Sequence, residues 1–176
     1  MRSLAWRKPE RLRQALFSAQ RILVAGNAGA GKTTLCRLLS DVTRIEYTEM
    51  DGIYFGPSWT KLDSFESNAR VLANSASWIT EWQYPVAREL LARRADLFIW
   101  LDLPRRTCVS RVVERSIRRR RLGAELWNGN VERPLHQMLS NRYHTVRWAF
   151  RHHGEIRDIV ETHIRTARFD VVHIVS

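Results

Sequence analysis

Apolar residues in this chain come in two patterns. Some form short unbroken runs, as in Arg21-Ile22-Leu23-Val24-Ala25 and Leu97-Phe98-Ile99-Trp100-Leu101. Runs of this length read as strands buried on both faces. Ile45-Glu46-Tyr47, Trp78-Ile79-Thr80 and the stretch from Phe169 to Val175 read as three further strands. Between the runs, apolar residues recur every three or four positions, the spacing of a helix with one buried face. Leu35, Cys36, Leu38 and Leu39 follow that period, as do Phe65, Ala69, Leu72, Ala73 and Ala76. Pro85 and Pro104 each stand where a helix begins. The first of these helices runs through Leu90 and Leu91, and the second is long and rich in arginine. Residues 122–130, with Gly123, Asn128, Gly129 and Asn130, read as a loop. Helices are expected at about 131–139 and 141–166, with a break near Gly154.

Residues 1–20 precede this alternation. Pro9 opens a short amphipathic helix on which Leu12, Ala15, Leu16 and Ala19 share a stripe. Arg2, Arg7, Lys8, Arg11 and Arg13 lie outside its apolar face. The helix either docks on the domain or stays a solvated extension. From residue 21 to 176 strands alternate with helices, which predicts a single α/β domain with a parallel sheet covered on both faces. Ligands bind such sheets at the carboxyl ends of the strands. Gly26, Asp51, Glu81 and Asp102 all fall at or just past such ends, so they are expected to converge.

Composition narrows the partners. A length of 176 residues suits one domain with a sizeable core. The net charge of +11 favours anionic partners without choosing among nucleotides, nucleic acid and acidic lipid. No stretch approaches the roughly 20 apolar residues of a membrane span, and the N-terminus lacks a secretory run. Cys36 and Cys108 have no metal-ligand spacing and read as reduced thiols of a cytoplasmic protein. The histidines show no metal spacing either.

Between the first strand and its helix stands Gly26-Asn27-Ala28-Gly29-Ala30-Gly31-Lys32-Thr33-Thr34, which fits G-x-x-x-x-G-K-[ST] at every fixed position. The strand before and the helix after are the context that makes this a P-loop. A triphosphate has to be wrapped by backbone N–H groups, and small residues let the backbone come that close. The helix starting near Gly31 turns its positive end to the phosphates. Lys32 is expected to reach the β- and γ-phosphates and Thr33 to bind Mg²⁺.

Asp51 and Glu81 are the carboxylates expected near the γ-phosphate, holding Mg²⁺ or taking a proton from an acceptor hydroxyl. The competing reading of Asp51 is a turn residue before Gly52. Asp102 reads as structural, beside the start of a helix. On the helix after Pro104, Arg111, Arg115 and Arg118 share one face, opposite Val109, Val112, Val113, Ser116 and Ile117. That face serves phosphate chemistry, solvation or nucleic-acid binding. Trp59 and Trp127 lie in loops, where they either stack on a ring or pack the loop to the core.

The chain resembles the adenylate-kinase-like P-loop proteins of the DNA topology modulation (FlaR-like) type, from about Arg21 to Ser176. The resemblance rests on Gly26 to Thr34, on Met50-Asp51-Gly52-Ile53-Tyr54-Phe55-Gly56-Pro57-Ser58-Trp59, on Trp100-Leu101-Asp102-Leu103-Pro104-Arg105, on the Arg111/Arg115/Arg118 run and on Glu125-Leu126-Trp127-Asn128-Gly129-Asn130. It implies the three-layer nucleoside-monophosphate-kinase fold, with five strands in the order 2-3-1-4-5. It also implies a helical lid over ATP at about 118–140, with Arg111 and Arg115 matching lid arginines. The family has Asp-Gly-Asn-Tyr after strand three, and here Glu81-Trp82-Gln83-Tyr84 stands instead. Trp82 is therefore expected to fill space where a glycine would admit the acceptor.

The expected function is an ATP- and Mg²⁺-dependent kinase acting on an unidentified small molecule or nucleotide, with Lys32, Asp51, Arg111, Arg115 and Arg118 as catalytic residues. Thr33, Asp51 and Glu81 are the metal-side residues. Two other readings stand: an ATP-dependent nucleic-acid-binding regulator, and a nucleotide-binding protein without turnover. Any nucleic-acid binding is expected to be weak and non-specific, since no sequence-reading module is present.

Overall fold

In the computed structural model, the described residues are 3–4, 9–138, 141, 144–165 and 169–175. The elements run β1 (Ser3–Leu4), α1 (Pro9–Ser18), β2 (Arg21–Gly26), α2 (Lys32–Thr43), β3 (Tyr47–Thr48), α3 (Met50–Tyr54) and α4 (Phe65–Asn74). They continue with β4 (Trp78–Glu81), α5 (Pro85–Ala92), β5 (Leu97–Asp102), α6 (Arg105–Arg121), α7 (Thr145–Arg151), α8 (His153–Arg165) and β6 (Asp170–Val175).

All strands pair in parallel, in the order β1-β6-β5-β2-β4-β3. Counted from β2, the five main strands stand in the order 2-3-1-4-5, with the short β1 added outside β6. Side-chain alternation along the central strands sorts the core into two layers. Leu23, Ala25, Phe98, Trp100 and Val171 face the side covered by α4, α5 and α8. Ile22, Val24, Leu97, Ile99 and Val172 face the other, against α2 and the Leu12, Ala15 and Leu16 stripe of α1. Arg11 and Arg13 of α1 are among the described residues, whereas Arg2, Arg7 and Lys8 lie outside them. No helix among the described residues is long and apolar enough to cross a membrane.

Several boundaries differ from the sequence reading, each for a local reason. The second strand is Tyr47–Thr48, later than Ile45-Glu46-Tyr47. Arg44 caps α2 in the left-handed region (φ 64°), and the Ile45 carbonyl is taken by the Ser40 hydroxyl at 2.6 Å. Where a helix was expected at 131–139, only a 3₁₀ turn, Leu135–Met138, follows Pro134. The helical stretch beyond it breaks at His152 (φ −95°, ψ 10°), two residues before Gly154. Residues 139, 142, 143 and 166 of those two expected helices lie outside the described residues.

Candidate functional site

The loop between β2 and α2 turns tightly because its glycines allow it. Gly29 and Gly31 adopt φ of 83° and 100°, a region where a side chain is strained. Gly29 has a second constraint: a Cβ there would lie 2.1 Å from the Cys108 carbonyl oxygen of α6. Helix α6 thus rests directly on the loop, and only glycine fits between them. Asn27 is buried, and its Nδ2 donates to the Ala149 carbonyl at 2.8 Å, tying the loop to α7. Lys32, also buried, turns back so that Nζ donates to the Asn27 carbonyl at 3.2 Å.

Directly after Lys32, the Thr33 hydroxyl donates to Glu81 Oε1 at 2.6 Å. Glu81 is 1 % exposed at the end of β4, and its other oxygen accepts from Gln83 Nε2 at 2.8 Å. A polar group buried this deeply is costly unless hydrogen bonds satisfy it, and both oxygens are satisfied here. Thr33 and Glu81 together form an oxygen pair of the kind that a hard divalent cation takes, directly or through water.

Asp51 lies in α3 rather than in a turn, and the Tyr84 hydroxyl donates to its Oδ1 at 2.5 Å. Burial pushes the Asp51 carboxyl up to about 6, against the Tyr84 hydrogen bond, which favours the charged form. Tyr84 itself stacks on Tyr54, with ring centroids 3.9 Å apart. It holds a positive φ of 58° just before Pro85, a strained position for a tyrosine. Its role was missed in the sequence, where the only signal is a tyrosine at the turn between Glu81 and Pro85.

The three arginines predicted to share a face do so, but their surroundings differ. Arg111 and Arg118 are exposed. The Arg111 guanidinium approaches Gly31, with Nη1 4.0 Å from where a Cβ would be. Arg115 is half-buried, its Nε is enclosed, and that Nε has no hydrogen-bond partner among the described residues. Burial first, and then Arg119, lowers its affinity for the proton, while Glu132, Asp51 and Glu81 oppose that shift. An enclosed guanidinium nitrogen without a partner is costly unless an anion supplies one.

One expectation is corrected. Trp82 does not stand in an acceptor pocket. It is 5 % exposed in the core beneath the sheet, edge-on to Phe98, with Nε1 donating to the Arg88 carbonyl at 3.0 Å. Strand alternation explains this: Glu81 faces the loop side, so the next residue turns the other way. Asp102, read as structural beside the start of a helix, makes no side-chain cap on α6. It pairs instead with His173 Nε2 at 3.1 Å and Arg157 at 3.4 Å. Trp59 and Trp127 pack against each other, 6.3 Å between centroids, rather than against the main core.

The donor set suits a magnesium nucleotide. A glycine-built backbone cradle, a buried lysine, a threonine–carboxylate pair and an arginine nitrogen without a hydrogen-bond partner among the described residues all occupy one end of the sheet. No family model matches the chain, and no curated protein does. Among solved structures, a sugar kinase from Janibacter sp. HTCC2649 is similar at 15 % identity and TM-score 0.45, covering 89 % of this chain and 84 % of its own. Shikimate kinase from Acinetobacter baumannii is similar at 18 % identity and TM-score 0.42, covering 86 % and 97 %. Deoxyadenosine kinase from M. mycoides is similar at 12 % identity and TM-score 0.45, covering 87 % and 90 %. These likenesses are distant, and the strand order given above rests on the pairing itself.

Proposed function

We propose that this chain is an ATP- and Mg²⁺-dependent phosphotransferase that acts on a small-molecule acceptor. The observation that carries the reading is Arg115: an enclosed guanidinium nitrogen with no hydrogen-bond partner among the described residues, in the field of Glu132, Asp51 and Glu81, on the helix that rests on the P-loop. A transferring phosphoryl group is an anion of the kind that would complete it.

The P-loop residues Gly26, Asn27, Ala28, Gly29, Ala30, Gly31, Lys32, Thr33 and Thr34 hold the nucleotide, with Lys32 moving from the Asn27 carbonyl to the phosphates. Thr33 and Glu81 hold the metal side. Magnesium ATP, when bound, supplies the phosphoryl donor. Asp51 stands on the acceptor side, where Tyr84 leaves one of its oxygens available to accept a hydroxyl proton. A carboxyl that titrates near 6 is ionised at neutral pH yet basic enough to take part of a proton. Arg111, Arg115 and Arg118 steady the charge of the group in transit, with Arg115 the innermost. The segment at about 118–140 serves as a lid that excludes water. Residues 21–176 form the kinase-like unit, with residues 1–20 as a basic extension to it.

The test is a screen of phosphoryl transfer from γ-labelled ATP to nucleosides, nucleotides, sugars and small hydroxy compounds. Transfer to one class, abolished by Lys32→Ala and Asp51→Asn, is expected. Nucleotide binding without transfer to any acceptor or to water would favour a binding protein without turnover.

A further inference from the structure

Two adjacent loops are copies of one another. Phe55–Lys61 follows α3, and Glu125–Val131 follows α6. Each is closed by an antiparallel bridge, Phe55 with Lys61 and Glu125 with Val131. Each carries the same hydrogen bonds: Gly56 N to Thr60 O at 2.8 Å matches Leu126 N to Asn130 O at 2.6 Å, and Thr60 N to Pro57 O at 3.3 Å matches Asn130 N to Trp127 O at 3.2 Å. Each puts a non-glycine residue in the left-handed region at its centre, Ser58 at φ 58° and Asn128 at φ 55°. Even the side-chain bond repeats, Thr60 Oγ1 to Pro57 O at 2.8 Å and Asn130 Nδ2 to Trp127 O at 2.7 Å.

The copies differ in one respect. Thr60 serves only its own turn, whereas Asn130 also reaches across to the other. Its Oδ1 accepts from Trp59 N and its Nδ2 donates to the Gly56 carbonyl, both at 2.8 Å. Asn130 is 3 % exposed, so these bonds are shielded from water. Asn128 Nδ2 adds a bond to the Phe55 carbonyl at 2.5 Å, and Trp127 lies against Gly52 in α3. Behind the second turn, the buried Glu132 accepts from the Ser116 hydroxyl at 3.0 Å and pairs with Arg119 at 3.5 Å. Contacts therefore run without a gap from the P-loop at Gly29, along α6 past Arg115, through both turns, to the helix that carries Asp51.

We propose that Asn130 is a positioning residue: it joins the acceptor-side turn to the lid turn, so that Asp51 and Arg115 are held as one unit and nucleotide binding reaches residues 55–60 through it. The joining of the turns is a property of the unliganded chain. Its link to nucleotide rests on the phosphotransferase reading.

Hydrogen exchange by mass spectrometry on the full chain tests both parts. In the unliganded protein, Asn130→Ala removes the cross-bonds and should speed exchange at 55–60 and 126–131 by about tenfold, leaving β2, α2 and β5 unchanged. Asn130→Asp turns both donations into contacts between a buried carboxylate and the Gly56 and Trp127 carbonyls, and should speed exchange at the same places at least as much. If Asn130→Ala does not fold, Asn128→Ala, at an exposed position, should still speed exchange at 55–60. Unchanged exchange at 55–60 in these variants would overturn the join. With magnesium and a non-hydrolysable ATP analogue, the wild type should gain protection at 28–34 and at 55–60, and Asn130→Ala at 28–34 alone. Protection at 55–60 that persists in Asn130→Ala would overturn the positioning role, since a merely stabilising residue would leave that response intact. Absence of protection at 28–34 in the wild type would instead reject the nucleotide reading, with the unliganded comparison still deciding the join.

Discussion

The P-loop side and the Asp51 side of the candidate site are built by different means. The P-loop side is backbone: glycines at positive φ, a helix start, and a carbonyl of α6 pressed against Gly29. The Asp51 side, the acceptor side in the proposed function, is side chains: Asp51 on Tyr84, Tyr84 on Tyr54, Trp59 on Trp127, Asn130 across two turns. A backbone cradle admits few sequences and binds a ligand common to many proteins. A side-chain surface can change residue by residue, which suits the part of a site that selects its substrate.

Substitutions can break that contrast at several points. The largest effect is expected where the two sides meet. Arg115→Ala should lower turnover by about a hundredfold, the scale of losing one preorganised charge-stabilising group, while ATP affinity falls much less. Steady-state kinetics beside calorimetry measure both, and equal losses would place Arg115 in ground-state binding. Next comes Gly29→Ala on the backbone side. The added methyl meets the Cys108 carbonyl at a positive φ, so a loss of about 2 kcal/mol or more is expected in denaturant unfolding. A neutral result would mean that α6 does not press on the loop.

A smaller effect belongs to the acceptor side. With Asp51 titrating near 6, turnover should fall as pH drops through that value and the base takes a proton. The Tyr84 hydroxyl favours the charged carboxylate, so Tyr84→Phe should move the acid limb to higher pH. A limb that stays in place would remove Asp51 from proton transfer.

This division also explains what could be read from the sequence. The strands and the P-loop were legible, because runs such as Ile22–Ala25 and the fixed spacing from Gly26 to Thr33 are local signals; the order of the strands in the sheet came only from the family resemblance. The Thr33–Glu81 pair was half legible: strand ends place both residues at one end of the sheet, but not in contact. Trp82 was misread because a family comparison suggested open space at a position where strand alternation turns the side chain into the core. Tyr84 and Asn130 were invisible as a pair of anchors, since their partners lie far off in sequence and no period announces them. The copied turns escaped notice too, because Gly56-Pro57-Ser58-Trp59-Thr60 and Leu126-Trp127-Asn128-Gly129-Asn130 share a backbone path and almost no residues.

The smallest expected effect concerns the end of α6, where Arg118, Arg120 and Arg121 are exposed. Binding of duplex DNA should be weak, insensitive to sequence and steeply weakened by salt. Tight, sequence-selective binding at physiological salt would make the arginine face a nucleic-acid surface instead.

The central claim is that the backbone cradle holds a nucleotide triphosphate through Lys32. Titration calorimetry with magnesium and a non-hydrolysable ATP analogue tests it directly. The account predicts one site per chain in the wild type, weakened by about a hundredfold in Lys32→Ala, the scale of a lost charge-assisted contact. No binding to the wild type, or equal binding to both proteins, would contradict it.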